Sequence, residues 1–436
     1  WPTFLGIIIF AFSAFEVYPN SWATNGIYEA FSQAVGSWLV MNLLGLFLLA
    51  HLLKEAGTIR RIALWFVTTD TAKKGPWPFT IMYFVAVFVL GLFLNVTTAL
   101  VLLLALLKEI FAIAGMTEED LWTKACTIGT TFILVITFAS TPFCHDMPIL
   151  FMGIYAGMTG QPINWLAYIG VCVPIAFLIC LLFVLFIRFV VKPDVSKLED
   201  LDHEQIEALR PGPMQKEEKW VVGVVIALFV LWIVPGFLSV LAPQADITKW
   251  FNSITMSMPL MAAIVLFAVI RINGKPVLDI TRDAGQINWG VIFFLAGIMM
   301  IGNAMGAPTS GISAWINETL SPMMSGLSPF AFIGIILAVS IILTNIANNV
   351  PVGIVLMTVT VPISIEMGIS PFIAAAAISF GANLAYCIPP AFVPIGICYA
   401  DPFGGGKYTF RWGVITTVVS IVLCVLLFFP LASAFV

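Results

Sequence analysis

Long apolar runs, separated by short polar connections, follow one another along almost the whole chain. A run of about 18 or more apolar residues can cross a hydrocarbon core of roughly 30 Å as one α-helix. Nine apolar runs predict membrane spans: 3–16, 35–53, 121–155, 166–188, 220–242, 255–271, 288–306, 371–399 and 412–434. Only 10% of the 436 residues are charged, against roughly 25% in soluble domains. The pattern predicts an all-α polytopic membrane protein.

Two further apolar segments, 79–107 and 329–364, contain polar interruptions and predict re-entrant hairpins, which enter and leave the membrane on one side. With this assignment all but one (Lys249) of the 19 Lys and Arg residues fall on the same side. Basic residues in short loops are retained in the cytoplasm. We therefore expect the hydrophilic linker 192–219 to be cytoplasmic and the C-terminus to lie on the opposite side.

The two halves of the chain repeat each other. "FLNVTTALVLLLAL" from Phe93 resembles "IANNVPVGIVLMTV" from Ile346, and "ASTPFCHDMP" from Ala139 resembles "YCIPPAFVP" from Tyr386. Because the two hairpins enter from opposite sides, the halves form an inverted-topology repeat, which is typical of secondary transporters. The predicted division is a first repeat over 1–191 with scaffold helices in 1–66, the linker 192–219, and a second repeat over 220–436 with scaffold helices in 220–306.

The polar interruptions of the two hairpins predict a binding site. Irregular backbone at membrane depth survives only where protein or a watery cavity surrounds it. Free N–H groups at a helix start attract an anion, and carbonyl or Asn oxygens suit a small cation. Asn side chains that only join helices are the alternative explanation. The predicted substrate-binding residues are Asn95, Val96, Thr97, Thr98, Asn348, Asn349 and Val350, with sodium at Asn95 and Asn349 and a coupling role for Asn345.

Clustered prolines predict a second pair of breaks, within spans 121–155 and 371–399. Proline lacks a backbone donor and clashes with the preceding helical turn. The prolines concerned are Pro142, Pro148, Pro389, Pro390 and Pro394. We add Thr141, Pro142, Pro389 and Pro390 to the predicted substrate site.

His145 and Asp146 lie beside the first proline break. Ionisable residues at membrane depth are costly and mark functional sites. They predict ion or proton coupling, with Asp146 as a cation ligand or proton carrier and His145 as a relay or anion contact. A packing role for the histidine is the alternative.

These motifs resemble those of the divalent anion/sodium symporter family, within the wider ion-transporter superfamily. That family carries Ser-Asn-Thr at each hairpin tip, where this chain has Leu94-Asn95-Val96 and Asn348-Asn349-Val350. Its proline turns correspond here to Thr141-Pro142-Phe143-Cys144 and Ile388-Pro389-Pro390-Ala391. The resemblance covers nearly the whole chain. It implies an elevator-type homodimer that moves dicarboxylates, citrate or sulfate by sodium symport or anion exchange.

The sequence thus predicts a secondary active transporter of small organic anions, with di- or tricarboxylates as the leading class. Symport with sodium or protons and anion exchange both stay open. A cation/proton antiporter of the same superfamily is one alternative, and an intramembrane enzyme using His145 and Asp146 is another. The expected partners are the anion, the lipid bilayer of a bacterial plasma membrane and a second copy of the chain. No nucleic acid and no cofactor other than a coupling sodium ion are expected.

Overall fold

The computed structural model describes residues 5, 31–32, 34–143, 145–199, 201–242, 244–253, 257–287, 289–293, 296–297, 311, 315, 318 and 326–435. The helices are, in chain order, α1 (Trp38–Glu55), α2 (Thr58–Val67), α3 (Pro76–Gly91), α4 (Val96–Ile113), α5 (Leu121–Ser140), α6 (Asp146–Thr159), α7 (Trp165–Phe186), α8 (His203–Ala208), α9 (Lys216–Leu241), α10 (Asp246–Ser253), α11 (Ser257–Val269), α12 (Ile280–Asp283), α13 (Pro329–Thr344), α14 (Asn349–Glu366), α15 (Pro371–Gly381), α16 (Val393–Ala400) and α17 (Gly406–Ser433). Short 3₁₀ turns cover Ala72–Lys74, Ser196–Leu198 and Ala284–Gln286, and a π-turn, Ile187–Val191, extends α7.

The chain divides into two compact units, one formed by residues 1–58 and 211–304 and the other by 59–210 and 305–436. In the first unit α11 packs against α1 and α9. A two-stranded antiparallel ribbon, β1 (Arg271–Ile272) and β2 (Lys275–Pro276), follows α11. The first unit holds none of the predicted site residues.

The second unit holds all of the predicted site residues and has α5 at its centre. Helix α5 is buried along almost its whole length and packs against α3, α4 and α7. The long helices α7 and α17 pack against each other, and α17 also packs against α13. Among the described residues of this unit, the buried side-chain N and O atoms have hydrogen-bond partners, as a membrane interior requires; the Tyr168 hydroxyl, for example, donates to the carbonyl of Ala139 (2.7 Å) and lies 2.9 Å from Ser379 Oγ.

Five of the described helices are long and apolar enough to cross a membrane, and a sixth span arises if the 60° bent pair of 40–55 and α2 counts as one. The five are α4, α5, α7 with its π-turn, α14 and α17. Shorter apolar helices include α3, α13 and α15. The prediction of an all-α polytopic membrane protein is confirmed. Predicted span 3–16 and most of 288–306 lie outside the described residues.

Four of the interruptions between helices of the second unit lie where the sequence predicts breaks. We call residues 92–95, between α3 and α4, the first tip, and residues 345–348, between α13 and α14, the second tip. Residues 141–143 and 145, between α5 and α6, form the first unwound segment. Residues 382–392, between α15 and α16, form the second unwound segment.

The breaks are narrower than the sequence suggests, since six residue positions predicted to be irregular lie in the first turns of helices instead. Val96, Thr97 and Thr98 form the first turn of α4, and Asn349 to Pro351 form the first turn of α14. Pro148 and Pro394 likewise lie in the first turns of α6 and α16. The reason is that a first helical turn has no intrahelical acceptor for its N–H groups, so proline fits there without loss.

Candidate functional site

The first tip is held against the first unwound segment by Thr141 and His145. The Thr141 hydroxyl donates to the carbonyl of Leu92 (2.7 Å), which lies in the tip. His145 is fully buried, and its Nε2 lies 3.0 Å from the carbonyl oxygen of Leu94. Its Nδ1 lies 2.9 Å from the carbonyl oxygen of Thr141. The imidazole of His145 therefore links the first tip to the first unwound segment, in which His145 itself lies.

Both ring nitrogens of His145 face carbonyl oxygens, which can only accept hydrogen bonds. A neutral imidazole carries one N–H and an imidazolium carries two, so the second contact becomes a hydrogen bond when the ring gains a proton. The next residue, Asp146, is half-buried and starts α6, where its Oδ1 accepts from the N–H of Met147 (3.1 Å). A helix start favours a carboxylate.

The second tip is held against the second unwound segment by Asn345. Its Nδ2 donates to the carbonyl of Leu384 (2.8 Å), and its Oδ1 accepts from the N–H groups of Tyr386 (2.7 Å) and Cys387 (3.1 Å). The Thr344 hydroxyl adds a bond to the carbonyl of Ala382 (2.6 Å). The amide of Asn345 thus satisfies backbone groups that the unwinding of the span leaves without helical partners.

Asn383, which the sequence reading missed, lies in the second unwound segment and is fully buried. Its Nδ2 donates to the carbonyl of Ser379 (2.7 Å), and its Oδ1 accepts from Nδ2 of Asn349 (3.0 Å). Asn349 is itself only 2% exposed. The sequence shows Asn383 as a lone Asn in an apolar run. The spacing of residues does not show that its partner is Asn349, which lies 34 residues earlier in the chain.

The two tips differ in helix register by one residue. Asn95 is the N-cap of α4, and its Oδ1 accepts from the N–H of Thr98 (3.3 Å). Asn348, rather than Asn349, is the N-cap of α14, with its Oδ1 accepting from Val350 (3.0 Å). By cap geometry Asn95 therefore corresponds to Asn348. The pairing of Asn95 with Asn349, which the motif comparison assumes, is displaced by one position.

The N–H groups at the two helix starts are used differently. At α14 the N–H of Asn349 donates to the carbonyl of Ala391 (3.3 Å) and that of Val350 is capped, while Pro351 has none. At α4 the N–H groups of Val96 and Thr97 make no hydrogen bond with any described residue. The start of α4 therefore offers donors to a ligand, whereas the start of α14 does not.

The remaining predicted residues divide by exposure. Thr141 and Pro142 are buried, Asn95, Thr97, Thr98 and Val350 are half-buried, and Asn348, Pro389 and Pro390 are exposed. Nδ2 of Asn348 lies 3.5 Å from the carbonyl of Pro390, so these two residues are neighbours. Cys144 lies outside the described residues.

The two half-sites approach each other through one aromatic ring. The ring of Phe138, at the end of α5, lies 5.0 Å from that of His145 and 5.1 Å from that of Phe392, measured between centroids. Phe392 ends the second unwound segment. Hydrogen bonds between the first tip and the second tip are absent among the described residues, and each tip is bonded instead to the unwound segment that follows it along the chain.

Most polar groups of the site are neutral amides, hydroxyls and backbone groups, and Asp146 is the one carboxylate in its four segments. The segments 92–99, 140–146, 344–352 and 379–393 contain no Lys or Arg. Within the described part of the chain no three His, Cys, Asp or Glu side chains cluster as ligands for a transition metal. The arrangement can bind an anion through N–H donors and a hard cation through amide and carbonyl oxygens.

Comparison with known proteins places this geometry in context. A family model described as a citrate transporter matches residues 3–378. The sodium-dependent dicarboxylate transporter SdcS of Staphylococcus saprophyticus is 25% identical over 427 residues, which cover 92% of this chain and 78% of that protein. SdcS of Staphylococcus aureus is 23% identical over 401 residues, covering 88% and 73%. The solved structure of the Alcanivorax borkumensis YdaH transporter, described as having an unusual topology, aligns with a TM-score of 0.56 at 14% identity and covers 98% of this chain and 97% of that one. The last likeness concerns the fold alone.

Proposed function

The chain belongs to the citrate transporter family, and we propose that it is a secondary active transporter of small organic anions of the di- or tricarboxylate class. The observation that carries this proposal is the start of α4. There the N–H groups of Val96 and Thr97 have no hydrogen-bond partner among the described residues, and the Asn95 side chain caps the same helix start. A carboxylate accepts such hydrogen bonds, and the positive end of the helix dipole favours its charge.

The substrate-binding residues that we propose are those of the two tips and the two unwound segments. At the tips they are Asn95, Val96, Thr97, Thr98, Asn348, Asn349 and Val350, and in the unwound segments Thr141, Pro142, Pro389 and Pro390. Because these segments contain no Lys or Arg, a bound carboxylate needs another source of permanent positive charge. A co-transported cation is one such source.

Sodium is the coupling ion that the relatives support, since their names describe sodium-dependent transport of dicarboxylates. Amide oxygens of Asn95 and Asn349 are the proposed sodium ligands. His145 and Asp146 are the proposed groups for proton coupling, and Asn345 supports coupling by holding the second tip. Symport accounts for the relatives' sodium dependence more directly than anion exchange does.

The mechanism and membrane topology that we propose are based on the predicted inverted repeat. We propose an elevator-type mechanism in a homodimer, with the hairpins 79–107 and 329–364 re-entrant in a bacterial plasma membrane. The linker 192–219 lies in the cytoplasm and the C-terminus on the opposite side. The domain division at 191 and 220 belongs to the same proposal.

Counterflow in proteoliposomes tests the proposal. Vesicles loaded with unlabelled succinate or citrate should accumulate the labelled compound transiently, and sodium on the outside should increase initial uptake. A channel or an enzyme gives no counterflow. Uptake that is absent for both compounds, in vesicles whose protein is folded, would contradict the carboxylate assignment. The cation/proton antiporter, with the half-buried Asp146 as carrier, would instead move protons against sodium without any carboxylate.

A further inference from the structure

One buried hydroxyl joins the two half-sites, each of which consists of a tip and the unwound segment bonded to it. Tyr168 lies near the start of α7 and is fully buried. Its hydroxyl donates to the carbonyl of Ala139 near the end of α5, and it lies 2.9 Å from Oγ of Ser379 in the last turn of α15. The first unwound segment follows α5, and the second follows α15. Tyr168 therefore contacts the helix that leads into each unwound segment.

The hydrogen bonds of this bridge have a fixed direction. The carbonyl oxygen of Ala139 can only accept, so the single O–H of Tyr168 points toward it (2.7 Å). The phenolic oxygen then acts as the acceptor for Ser379, whose hydroxyl donates across the 2.9 Å contact. The two bonds run in series from Ser379 through Tyr168 to Ala139. Loss of the phenolic oxygen breaks both bonds, whereas loss of the Ser379 hydroxyl breaks one.

The Ala139 carbonyl needs such a partner because of the break that follows it. Helix α5 ends at Ser140, so its last carbonyls have no N–H partners from a further helical turn. Ala139, Tyr168 and Ser379 are all fully buried, and water does not readily replace a lost bond there. A buried polar group without a partner costs free energy. The phenolic hydroxyl of Tyr168 thus holds the ends of α5 and α15 together.

Each end of the bridge continues into a half-site through further hydrogen bonds. On one side, Thr141 lies two residues after Ala139 and donates to the carbonyl of Leu92 in the first tip (2.7 Å). On the other side, the carbonyl of Ser379 accepts from Nδ2 of Asn383 in the second unwound segment (2.7 Å). Because no hydrogen bond joins the two tips among the described residues, the bridge connects half-sites that the tips do not connect directly.

From this geometry we infer that Tyr168 is a positioning residue that couples the two half-sites, so that a ligand bound in the site raises the affinity for a second, different ligand. A ligand that orders one half-site lowers the ordering cost that the next ligand meets, provided that the half-sites are connected. The inference rests on the proposed function and deepens it, since it names a residue through which the carboxylate and a co-transported sodium ion influence each other's binding.

The test measures how strongly sodium changes the affinity for a carboxylate. Succinate binding to the purified protein is titrated by calorimetry in choline chloride and in sodium chloride at equal ionic strength, with citrate used if succinate does not bind. The ratio of the two dissociation constants is the linkage factor, which in coupled systems is roughly 5- to 150-fold. Tyr168→Phe and Ser379→Ala should each lower this factor to about 1, because either change breaks the bridge.

The melting temperature separates loss of linkage from ordinary loss of a buried hydroxyl. Tyr168→Phe also removes the donor to the Ala139 carbonyl, so it should be less stable than Ser379→Ala although both variants lose the linkage. Tyr83→Phe is the matched control, because the Tyr83 hydroxyl is buried and lies 2.9 Å from the hydroxyl of Thr130. That contact joins α3 to α5 and not the two half-sites, so the control should keep the wild-type linkage factor. If Tyr168→Phe does not yield folded protein, Ser379→Ala breaks the bridge by itself.

The outcomes distinguish the inference from the proposed function. A wild-type linkage factor in either bridge variant overturns the inference and leaves the ring contact of Phe138 with Phe392 as the connection. Loss of linkage in Tyr83→Phe as well would assign the effect to general destabilisation and also overturn the inference. A wild type whose carboxylate affinity does not respond to sodium overturns it too, yet counterflow in that same protein leaves the transport function standing. Absence of both binding and counterflow, for succinate and for citrate, contradicts the proposed function itself.

Discussion

Replacing Asn345 by alanine should destabilise this protein more than any other single change in the second tip. The amide of Asn345 is 5% exposed and makes three hydrogen bonds to the second unwound segment, with the carbonyl of Leu384 and the N–H groups of Tyr386 and Cys387. Alanine removes every one of them and leaves all three backbone groups without a protein partner. The second tip then loses its main attachment to the segment beside it.

The size of the effect follows from where those three groups lie. Leu384 and Tyr386 are fully buried and Cys387 is 6% exposed, so water does not readily replace the lost amide. A stranded buried group costs about 1–3 kcal/mol, whereas hydrogen bonds in a membrane protein average about 0.6 kcal/mol. The three together give a loss of roughly 2–9 kcal/mol, and the upper part of that range approaches the roughly 5–15 kcal/mol total of a typical domain.

Asn348→Ala is the matched control for this prediction, since the same residue type lies three positions away on the same tip. Its side chain is exposed and caps one N–H, that of Val350, so its loss should cost about 1 kcal/mol. Thermal unfolding and denaturant titration of both purified variants in detergent provide the comparison. If Asn345→Ala loses no more stability than Asn348→Ala, the second unwound segment is held by packing and the role given to Asn345 is wrong.

Three further predictions concern other parts of the second unit. Thr141→Val is nearly isosteric and removes the 2.7 Å bond to the first tip; it should cost about 0.5–1.5 kcal/mol and weaken succinate binding, and a substrate titration that matches wild type would refute it. Cysteines placed at Lys74 and Lys108 should both react with an impermeant reagent from the cytoplasmic side, as a re-entrant hairpin requires, and labelling from opposite sides would exclude it. The N–H of Thr117 holds the pKa of the Asp120 carboxyl below its ordinary value. That stabilisation is present at neutral pH and is lost as the pH falls through the folded-state pKa, so Asp120→Asn should cost under about 1 kcal/mol at neutral pH and flatten the acid side of the stability profile.

The positions of the breaks were predictable from the sequence because their causes are local. Pro142, Pro389 and Pro390 cannot continue a helix, and all three lie in unwound segments. Asn95 and Asn348 are preferred N-cap residues and do cap the helices that follow the tips. Length and hydropathy sufficed for the helical class, since a backbone in lipid must bond to itself.

The partners inside the site were not predictable, because each of them is set by tertiary packing. Asn349 meets Asn383 at a separation of 34 residues, and His145 meets Leu94 at 51. The one-residue difference in helix register between the tips was also not predictable. The dipeptide "NV" occurs in both tips, and only the capping hydrogen bonds show that Asn95 and Asn348 are the N-cap residues. The sequence identified His145 as an ionisable residue at membrane depth. Its contacts with the carbonyl oxygens of Leu94 and Thr141 show that it also holds the first tip against the first unwound segment.

Coupling to a cation offers a physical reason why the four segments of the site contain no Lys or Arg. A buried Lys or Arg would bind a carboxylate, but it would remain charged and unpaired after the substrate leaves, which is costly in a medium of low polarity. In the proposed symport, a co-transported cation supplies the same positive charge only while it is bound. The cation and the carboxylate then lower the electrostatic cost of each other's binding, and linkage requires that the two effects be equal. Coupled transport follows from that reciprocity if the empty and the fully loaded site can both cross the membrane while the half-loaded site, with its uncompensated charge, cannot.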